Sequence, residues 1–254
     1  MFDIIKISAF KDNYIWLLRK GTSAVVVDPG DARPVLEVLA GEGLGLSAIL
    51  VTHHHQDHQG GVATLLERFP AIEVFGPAAE SITGLNRPLS GGETIDIAGL
   101  EAAFEVLAVP GHTLGHLAYS AGDVLFCGDT LFAGGCGRVF EGTAAQMYES
   151  LMSLAALPEQ TSVYCAHEYT EANLRFALAI EPGNRRLCQR IDEVARTRAK
   201  GMATVPSTIA LEKATNPFLR CDIPEVVASV RAQGYPVGDD IEVFAGLRDW
   251  KNNF

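Results

Sequence analysis

Four of the seven histidines in this chain fall within six consecutive residues. Segment 52–58 reads Thr-His-His-His-Gln-Asp-His, and Gly60 and Gly61 follow it. Imidazole and carboxylate groups are ligands that zinc and other divalent cations accept. Packing alone does not require three consecutive histidines beside an aspartate. The spacing therefore predicts a metal-binding loop.

The loop directly follows an apolar run at 47–51 that is typical of a buried strand. If the chain stays extended beyond this strand, His53, His55 and Asp57 project to one side, because side chains alternate along a strand. Together with His58, one short loop would then offer three imidazoles and a carboxylate to a common point.

The other histidines near this segment have different expected positions. We expect His58 at the start of the helix that follows the two glycines, since glycine permits a tight turn. His54 points opposite to its neighbours, so we assign it a supporting role behind the site. His116, which leads into a strand, receives the same assignment.

Three more metal-competent side chains each come just after an apolar strand. They are His112 after the run 104–109, Asp129 after 124–127, and His167 after 162–165. Strands of a layered sheet can bring such ends to one edge. With the loop, this makes seven candidate ligands, five histidines and two aspartates. A catalytic zinc needs about three protein ligands, so seven suffice for two metals if one carboxylate bridges them.

Hydrophobic periodicity predicts a change of architecture near residue 165. Before it, strands are expected at 4–7, 14–18, 24–27, 48–51, 73–75, 104–109, 117–120, 124–127 and 162–165, with helices at 33–40, 61–69 and 143–157. After it, helical spacing occurs at 171–180, 185–200, 224–233 and 240–250. We predict an α/β domain over 1–165 and a small helical domain over 166–254.

Composition excludes several classes of protein. The 254 residues are 48% hydrophobic and 20% charged, which is ordinary for a globular protein. The formal net charge of -11 opposes nucleic-acid binding. Five scattered cysteines without a C-x-x-C pair indicate neither a disulfide framework nor a cysteine zinc site. No secretory signal or long apolar run is visible, so we expect a cytoplasmic protein without a membrane partner.

The ligand pattern resembles that of the metallo-β-lactamase superfamily. Its signature H-x-H-x-D-H occurs in segment 52–58, and a later His, Asp and His each follow a strand. The resemblance implies an αββα sandwich for the α/β domain, with metals at one edge between the sheets. It is specific to the superfamily but not to one reaction.

Further stretches resemble one family within it, the glyoxalase II or hydroxyacylglutathione hydrolase family. These stretches are 11–14, 27–30, 128–132, 135–138, 167–170, 216–220 and 247–254. The resemblance runs nearly end to end. It implies a thioester hydrolase that cleaves S-D-lactoylglutathione to glutathione and D-lactate in methylglyoxal detoxification.

The resemblance also implies the distribution of the ligands. One metal would be bound by His53, His55 and His112, and the other by Asp57, His58 and His167. Asp129 would bridge both metals, and Asp57 and Asp129 would hold the attacking metal-bound hydroxide. We expect two zinc ions, although iron or manganese suits the same donors.

The glutathione moiety would be bound by Arg138, Tyr169, Arg248 and Lys251. The family commonly has lysine at position 138 and tyrosine at position 140, where this chain has Arg138 and Phe140. The first departure keeps the charge but changes its geometry, and the second removes a hydroxyl contact. The expected partner is this small-molecule thioester alone, and the expected state is a monomer.

Three other functions remain open at this point. Another hydrolase of the same fold is one: a secreted β-lactamase would need a signal peptide, and an RNA-processing nuclease would need a basic surface. A mononuclear-iron glutathione persulfide dioxygenase is the second. The complete second ligand set and the long helical C-terminus favour the hydrolase over it. A metal-binding scaffold without catalysis is the third.

Overall fold

The computed structural model describes residues 2–254, and the chain forms two compact units. Unit 1 comprises the chain to Ala108 together with Gly115–Gly128. Unit 2 comprises Val109–Leu114 together with Asp129–Phe254. No helix in the described residues combines the length and apolar character needed to cross a membrane.

Unit 1 contains a six-stranded sheet whose spatial order follows the chain. Its strands are β1 (Asp3–Ala9), β2 (Asn13–Lys20), β3 (Ser23–Val27), β4 (Gly45–Leu50), β5 (Glu73–Pro77) and β6 (Arg87–Leu89). The first three pair antiparallel, and β3 to β6 pair parallel. Strands β3 and β4 are apolar and almost entirely buried, as expected for the central strands of such a sheet.

Unit 1 also contains four antiparallel strands that lie side by side. They are β7 (Thr94–Asp96), β8 (Ala103–Ala108), β9 (Leu117–Ala121) and β10 (Val124–Gly128). In β8, Phe104 and Val106 are buried while Glu105 is exposed. This alternation is typical of a strand with one buried and one exposed face.

Three helices complete unit 1: α1 (Ala32–Glu42), α2 (Gln56–Gln59) and α3 (Val62–Arg68). Helix α1 begins where the Asp31 side chain accepts a hydrogen bond from the Arg33 backbone N–H. Its buried residues Val35 and Leu39 belong to a core that includes Val26. Burial of this apolar face stabilises the helix more than its intrinsic propensity does.

Unit 2 is mainly helical. It contains two short antiparallel strand pairs, the hairpin of β11 (Leu131–Phe132) with β12 (Gly135–Cys136) and the pair of β13 (Ser162–Cys165) with β14 (Ser207–Thr208). Its helices are α4 (Ala144–Ala155), α5 (Thr170–Ile180), α6 (Arg185–Arg198), α7 (Ile209–Thr215), α8 (Pro224–Ala232) and α9 (Asp240–Asn252), and a 3-10 turn spans Pro217–Leu219. Thr143 and Gln146 form a capping box that starts α4.

The predicted strands and helices are confirmed, with ends shifted by a few residues. The sequence did not reveal α2, α7 or the short strands β6, β7, β11, β12 and β14. These elements are two to seven residues long, and so short a segment carries too little periodicity to be recognised.

Candidate active site

The metal-binding loop, residues 52–59, follows the buried end of β4. His53 Nε2 lies 3.0 Å from His55 Nδ1, and the ring centroids of His53 and His58 are 4.1 Å apart. The extended path predicted through Asp57 is wrong, because α2 already includes that residue. The carbonyl of His55 accepts hydrogen bonds from the backbone N–H groups of His58 and Gln59 and so closes the turn.

This turn also corrects the expected place of His58. It lies in α2, before the two glycines, rather than at the start of α3 after them. Asp57 and His58 therefore occupy one short helical turn, whereas His53 and His55 precede it. Within unit 1 the structure still brings all four predicted ligands of the loop close together.

A carboxylate that the sequence analysis did not single out orients His58. Asp28 Oδ2 accepts from His58 Nδ1 at 3.0 Å and from Thr52 Oγ1 at 2.8 Å, while its Oδ1 accepts from the Thr52 backbone N–H at 2.8 Å. With its proton on Nδ1, His58 presents an unprotonated Nε2, which is the form that binds a metal. Like the predicted ligands, Asp28 directly follows an apolar strand, and this signal could have identified it.

The carboxylate of Asp57 is also held by its surroundings. Asn13 Nδ2 donates to Asp57 Oδ2 at 3.0 Å. Gly30 packs so closely on this segment that a Cβ there would overlap the backbone carbonyl of Asp57. A larger residue at position 30 would therefore displace a predicted ligand.

His54 and His116 support the loop through contacts with Glu80 and His53. Buried Glu80 accepts from the backbone N–H of His54 at 2.7 Å and lies 2.9 Å from its Nδ1. The same carboxylate accepts from the Gly115 backbone N–H at 2.9 Å. The His116 ring stacks on His53 with centroids 4.6 Å apart. These contacts hold His53 and His54 in place.

In unit 2, the remaining predicted ligands converge on one carboxylate. His112 Nε2 lies 3.5 Å from Asp129 Oδ2, and His167 Nε2 lies 3.3 Å from Asp129 Oδ1. His112 Nδ1 lies 2.8 Å from the Arg138 carbonyl oxygen. Because a carbonyl only accepts, Nδ1 carries the proton and Nε2 remains available as a ligand. This donor set suits a divalent metal ion.

A cavity of about 470 Å³ in unit 2 is lined by His112 and Asp129. Every predicted glutathione-binding residue also lines it: Arg138, Tyr169, Arg248 and Lys251. Phe132 and Phe140 add aromatic surface. The cavity thus combines metal-competent side chains, three cationic side chains and an apolar wall.

Arg248 is buried, with 7% of its surface exposed to solvent. Its Nη1 donates to the Cys136 carbonyl at 2.9 Å, and its guanidinium lies 5.0 Å from the centroid of the Phe218 ring. Among residues 2–254, no hydrogen-bond acceptor pairs with its Nε. A buried donor without an acceptor typically costs about 1–3 kcal/mol.

Lys251 is the second cationic side chain held in the cavity wall. Its Nζ donates to the Ala172 carbonyl at 3.1 Å and lies 5.0 Å from the Phe176 ring centroid. Burial, with the positive charges of Arg248 and Arg175, lowers the pKa of Lys251 to about 8. The Lys251 side chain therefore carries its positive charge at neutral pH and loses that charge under mildly alkaline conditions.

Cys136 lines the same cavity but is not suited to nucleophilic attack. Burial raises the pKa of its thiol, although the Arg248 charge opposes this. The reactive form of cysteine is the thiolate, which such an environment disfavours. This agrees with the absence of a role for Cys136 in the predicted chemistry.

Two family models together match almost the whole chain. Residues 10–167 match the family model described as Metallo-beta-lactamase superfamily, and residues 168–254 match the model described as Hydroxyacylglutathione hydrolase C-terminus. The hydroxyacylglutathione hydrolase of Dechloromonas aromatica is 57% identical over 268 aligned positions that cover 100% of both chains. This chain belongs to the hydroxyacylglutathione hydrolase family. The predicted family is thereby confirmed.

Solved structures with similar coordinates support the fold. ETHE1 from Myxococcus xanthus is 26% identical and superimposes with a TM-score of 0.68, covering 98% of this chain and 90% of that chain. TTHA1623 in a di-iron-bound form is 30% identical, with a TM-score of 0.54 and coverages of 65% and 91%. The predicted metallo-β-lactamase fold with a helical C-terminal domain is confirmed.

The types and positions of the predicted ligands fit a metal centre. Each of the seven predicted ligands belongs to a group of His and Asp side chains that could hold a metal ion. In both units, the hydrogen bonds at Nδ1 of His58 and His112 leave Nε2 for coordination. Metal binding is therefore consistent with the orientations of the side chains as well as with their identities.

Proposed function

We propose that this chain hydrolyses the thioester of S-(2-hydroxyacyl)glutathione, with S-D-lactoylglutathione as the substrate and glutathione and D-lactate as products. The observation that carries the proposal is the cavity in unit 2, where the metal-competent side chains of His112 and Asp129 share one wall with three cationic side chains. A thioester with an anionic leaving group suits this combination.

The proposed metal centre uses all seven predicted ligands. One divalent ion is assigned to His53, His55 and His112, and the other to Asp57, His58 and His167. Asp129 is assigned to both. We propose zinc, and the same donors suit iron or manganese. When bound, such ions lower the pKa of a coordinated water to about 7 and polarise the substrate carbonyl.

The acidic ligands also set the charge of the centre. The carboxylates of Asp57 and Asp129 offset two of the four positive charges that a pair of divalent ions would bring. The remaining positive charge favours the negative charge that develops on the carbonyl oxygen during attack. Asn13 and Asp28 keep Asp57 and His58 in position for this role.

Local cations must capture the substrate, because the chain carries a formal net charge of -11. Glutathione has two carboxylates and one ammonium. Arg138, Arg248 and Lys251 are proposed to bind the carboxylates, since charge-assisted hydrogen bonds are stronger than neutral ones. Tyr169 stacks on His167, with centroids 4.7 Å apart and an interplanar angle of 6°, and supplies an aromatic contact.

The thiolate leaving group does not require a proton donor from the protein. A thiol with a pKa near 8.5 departs as the thiolate without a proton donor. An amide nitrogen or an RNA alkoxide would need an acid. A thioester therefore fits this site without the assignment of a general acid.

We also propose that the chain divides into a catalytic domain at 1–165 and a substrate-binding domain at 166–254. The two family models meet at residues 167 and 168, which supports a boundary in this region. We propose a cytoplasmic monomer. Its five cysteines form no disulfide among residues 2–254, which is typical of a reducing compartment.

The decisive experiment combines metal analysis with a thiol-release assay. Purified protein should contain two metal ions per chain and should release glutathione from S-D-lactoylglutathione. Metal-loaded protein that releases no thiol would disprove the hydrolase. Oxygen consumption with glutathione persulfide, together with a single iron, would instead support the dioxygenase.

A further inference from the structure

A fully buried carboxylate outside the proposed metal centre connects helix α7 to the β11–β12 hairpin. Glu212 is 0% exposed. Its Oε1 pairs with Arg190 Nη2 at 2.5 Å and accepts a hydrogen bond from the Ser207 hydroxyl. Its Oε2 accepts from the backbone N–H of Gly134 at 2.8 Å and from Asn216 Nδ2 at 3.0 Å. One oxygen therefore faces the ion pair, and the other faces the hairpin.

Asn216 extends this connection to both strands of the hairpin. Its Nδ2 lies 3.3 Å from the carbonyl oxygen of Phe132 and 2.9 Å from that of Gly135. The turn between these residues needs Gly134, whose φ of 71° lies in the left-handed region. Two residue pairs alone would hold so short a hairpin weakly. The hydrogen bonds of the Glu212 and Asn216 side chains therefore contribute much of the stabilisation of this hairpin.

The hairpin leads directly into the wall of the cavity. Phe132 and Cys136 line the cavity, and the Cys136 carbonyl accepts the hydrogen bond from Arg248 Nη1. A displacement of the hairpin would therefore also displace the acceptor that holds this guanidinium. Glu212 does not line the cavity, so its influence on a ligand must pass through these groups.

A simple contribution to stability does not account well for this arrangement. Burying a carboxylate and a guanidinium carries a desolvation cost that their attraction often only offsets, and apolar replacements are frequently neutral. An apolar side chain at position 212 could not accept a hydrogen bond from Gly134 or Asn216. Directional control of the hairpin is what the carboxylate adds.

We propose that Glu212 is a positioning residue for substrate binding, which acts by fixing the β11–β12 hairpin and, through the Cys136 carbonyl, the Arg248 guanidinium. The inference rests on the proposed function of the cavity. It assigns to α7 a role in affinity for the glutathione moiety and none in the hydrolytic step.

The test compares a variant of the central carboxylate with a variant of one partner on the side of the ion pair. Glu212→Gln keeps the shape but replaces one acceptor oxygen by an amide donor. Ser207→Ala removes a partner of Oε1 and leaves the contacts of Oε2 with the hairpin intact. We expect Glu212→Gln to raise KM for S-D-lactoylglutathione about tenfold, equivalent to roughly 1.4 kcal/mol. Its kcat and metal content should stay within about twofold, and Ser207→Ala should keep the wild-type KM.

Hydrogen exchange provides a readout that does not depend on turnover. Peptides covering 129–140 should exchange faster in Glu212→Gln than in the wild type or Ser207→Ala, while peptides from α6 stay protected. Unchanged exchange and unchanged KM in folded Glu212→Gln would overturn the inference. If that variant does not fold, Asn216→Ala takes its place, because it leaves the Arg190–Glu212 pair intact, and the same outcomes decide.

The design separates this inference from the proposed function. If the wild type neither hydrolyses S-D-lactoylglutathione nor binds S-methylglutathione in calorimetry, the proposed function fails. The inference about substrate binding then fails with it, while hydrogen exchange still decides whether Glu212 positions the hairpin. If the wild type is active and only the KM and exchange effects are missing, the inference alone fails.

Discussion

The metal-binding loop of unit 1 and the cationic cavity of unit 2 hold their functional side chains in different ways. In the loop, other side chains hold the polar groups, as Asp28 holds His58 and Asn13 holds Asp57. In the cavity, backbone carbonyls hold the cations Arg248 and Lys251. Within residues 2–254, neither cation forms an ion pair with a carboxylate.

This difference matches what we propose that each region binds. A metal ligand needs a fixed tautomer and orientation, and a carboxylate at Nδ1 provides both. A cation that must attract an anionic substrate would be weakened by a carboxylate of its own. Backbone carbonyls position the cation while leaving its charge available. The comparison predicts that changes in the loop act on metal content and turnover, and changes in the cavity act on affinity.

The largest effect is expected from removal of a proposed metal ligand. His55→Ala and Asp129→Ala should each lower thioester hydrolysis by at least about a thousandfold. With less metal bound, the attacking water would no longer be activated. Metal analysis should show reduced content in both variants. Arg186→Ala, at an exposed position of α6, is the matched control. Turnover near that of the wild type in either ligand variant would contradict the site.

A smaller effect is expected where a carboxylate only orients a ligand. Asp28→Asn should weaken metal affinity about 10–100-fold, as measured by competition with a chelator, because His58 loses the partner that fixes its tautomer. Glu80→Gln should cost less than about tenfold, since this equally buried carboxylate contacts His54 rather than a proposed ligand. Equal losses in the two variants would show that orientation of His58 has no special role.

In the cavity, we expect an effect on affinity. Arg248→Ala should raise KM for S-D-lactoylglutathione about tenfold and lower kcat less, because it removes binding remote from the reacting bond. The melting temperature must be measured alongside, since this side chain is buried. Arg185→Ala, at the start of α6, serves as the control. An unchanged KM would remove Arg248 from the substrate site.

The smallest effect should appear in the pH dependence of binding. With the pKa of Lys251 lowered to about 8, its charge is present below that pH and is lost above it. The Kd of S-methylglutathione should therefore rise a few-fold between about pH 7 and pH 9, as measured by calorimetry. Lys251→Arg keeps the charge over this range and should remove that part of the dependence. An identical pH profile in both proteins would refute the role of Lys251.

Much of the fold could be predicted, and all seven proposed ligands were chosen from the sequence, because both depend on local patterns. The apolar runs before His112, Asp129 and His167 identify strands, and a residue after a strand is placed by that strand. The conformation of 55–59 could not be predicted. A four-residue helix depends on two hydrogen bonds to one carbonyl, and no periodic pattern indicates them.

The sequence alone singled out the residues that we propose to supply the metal-binding chemistry, because clustering and strand ends are properties of neighbouring positions. Only the tertiary structure decided how those residues are held. Asp28 and His58 are 30 positions apart, and Arg248 and Cys136 are 112 apart. The lowered pKa of Lys251 likewise arises from burial and from charges elsewhere in unit 2. Such contacts follow from the path of the whole chain, and local spacing carries no information about them.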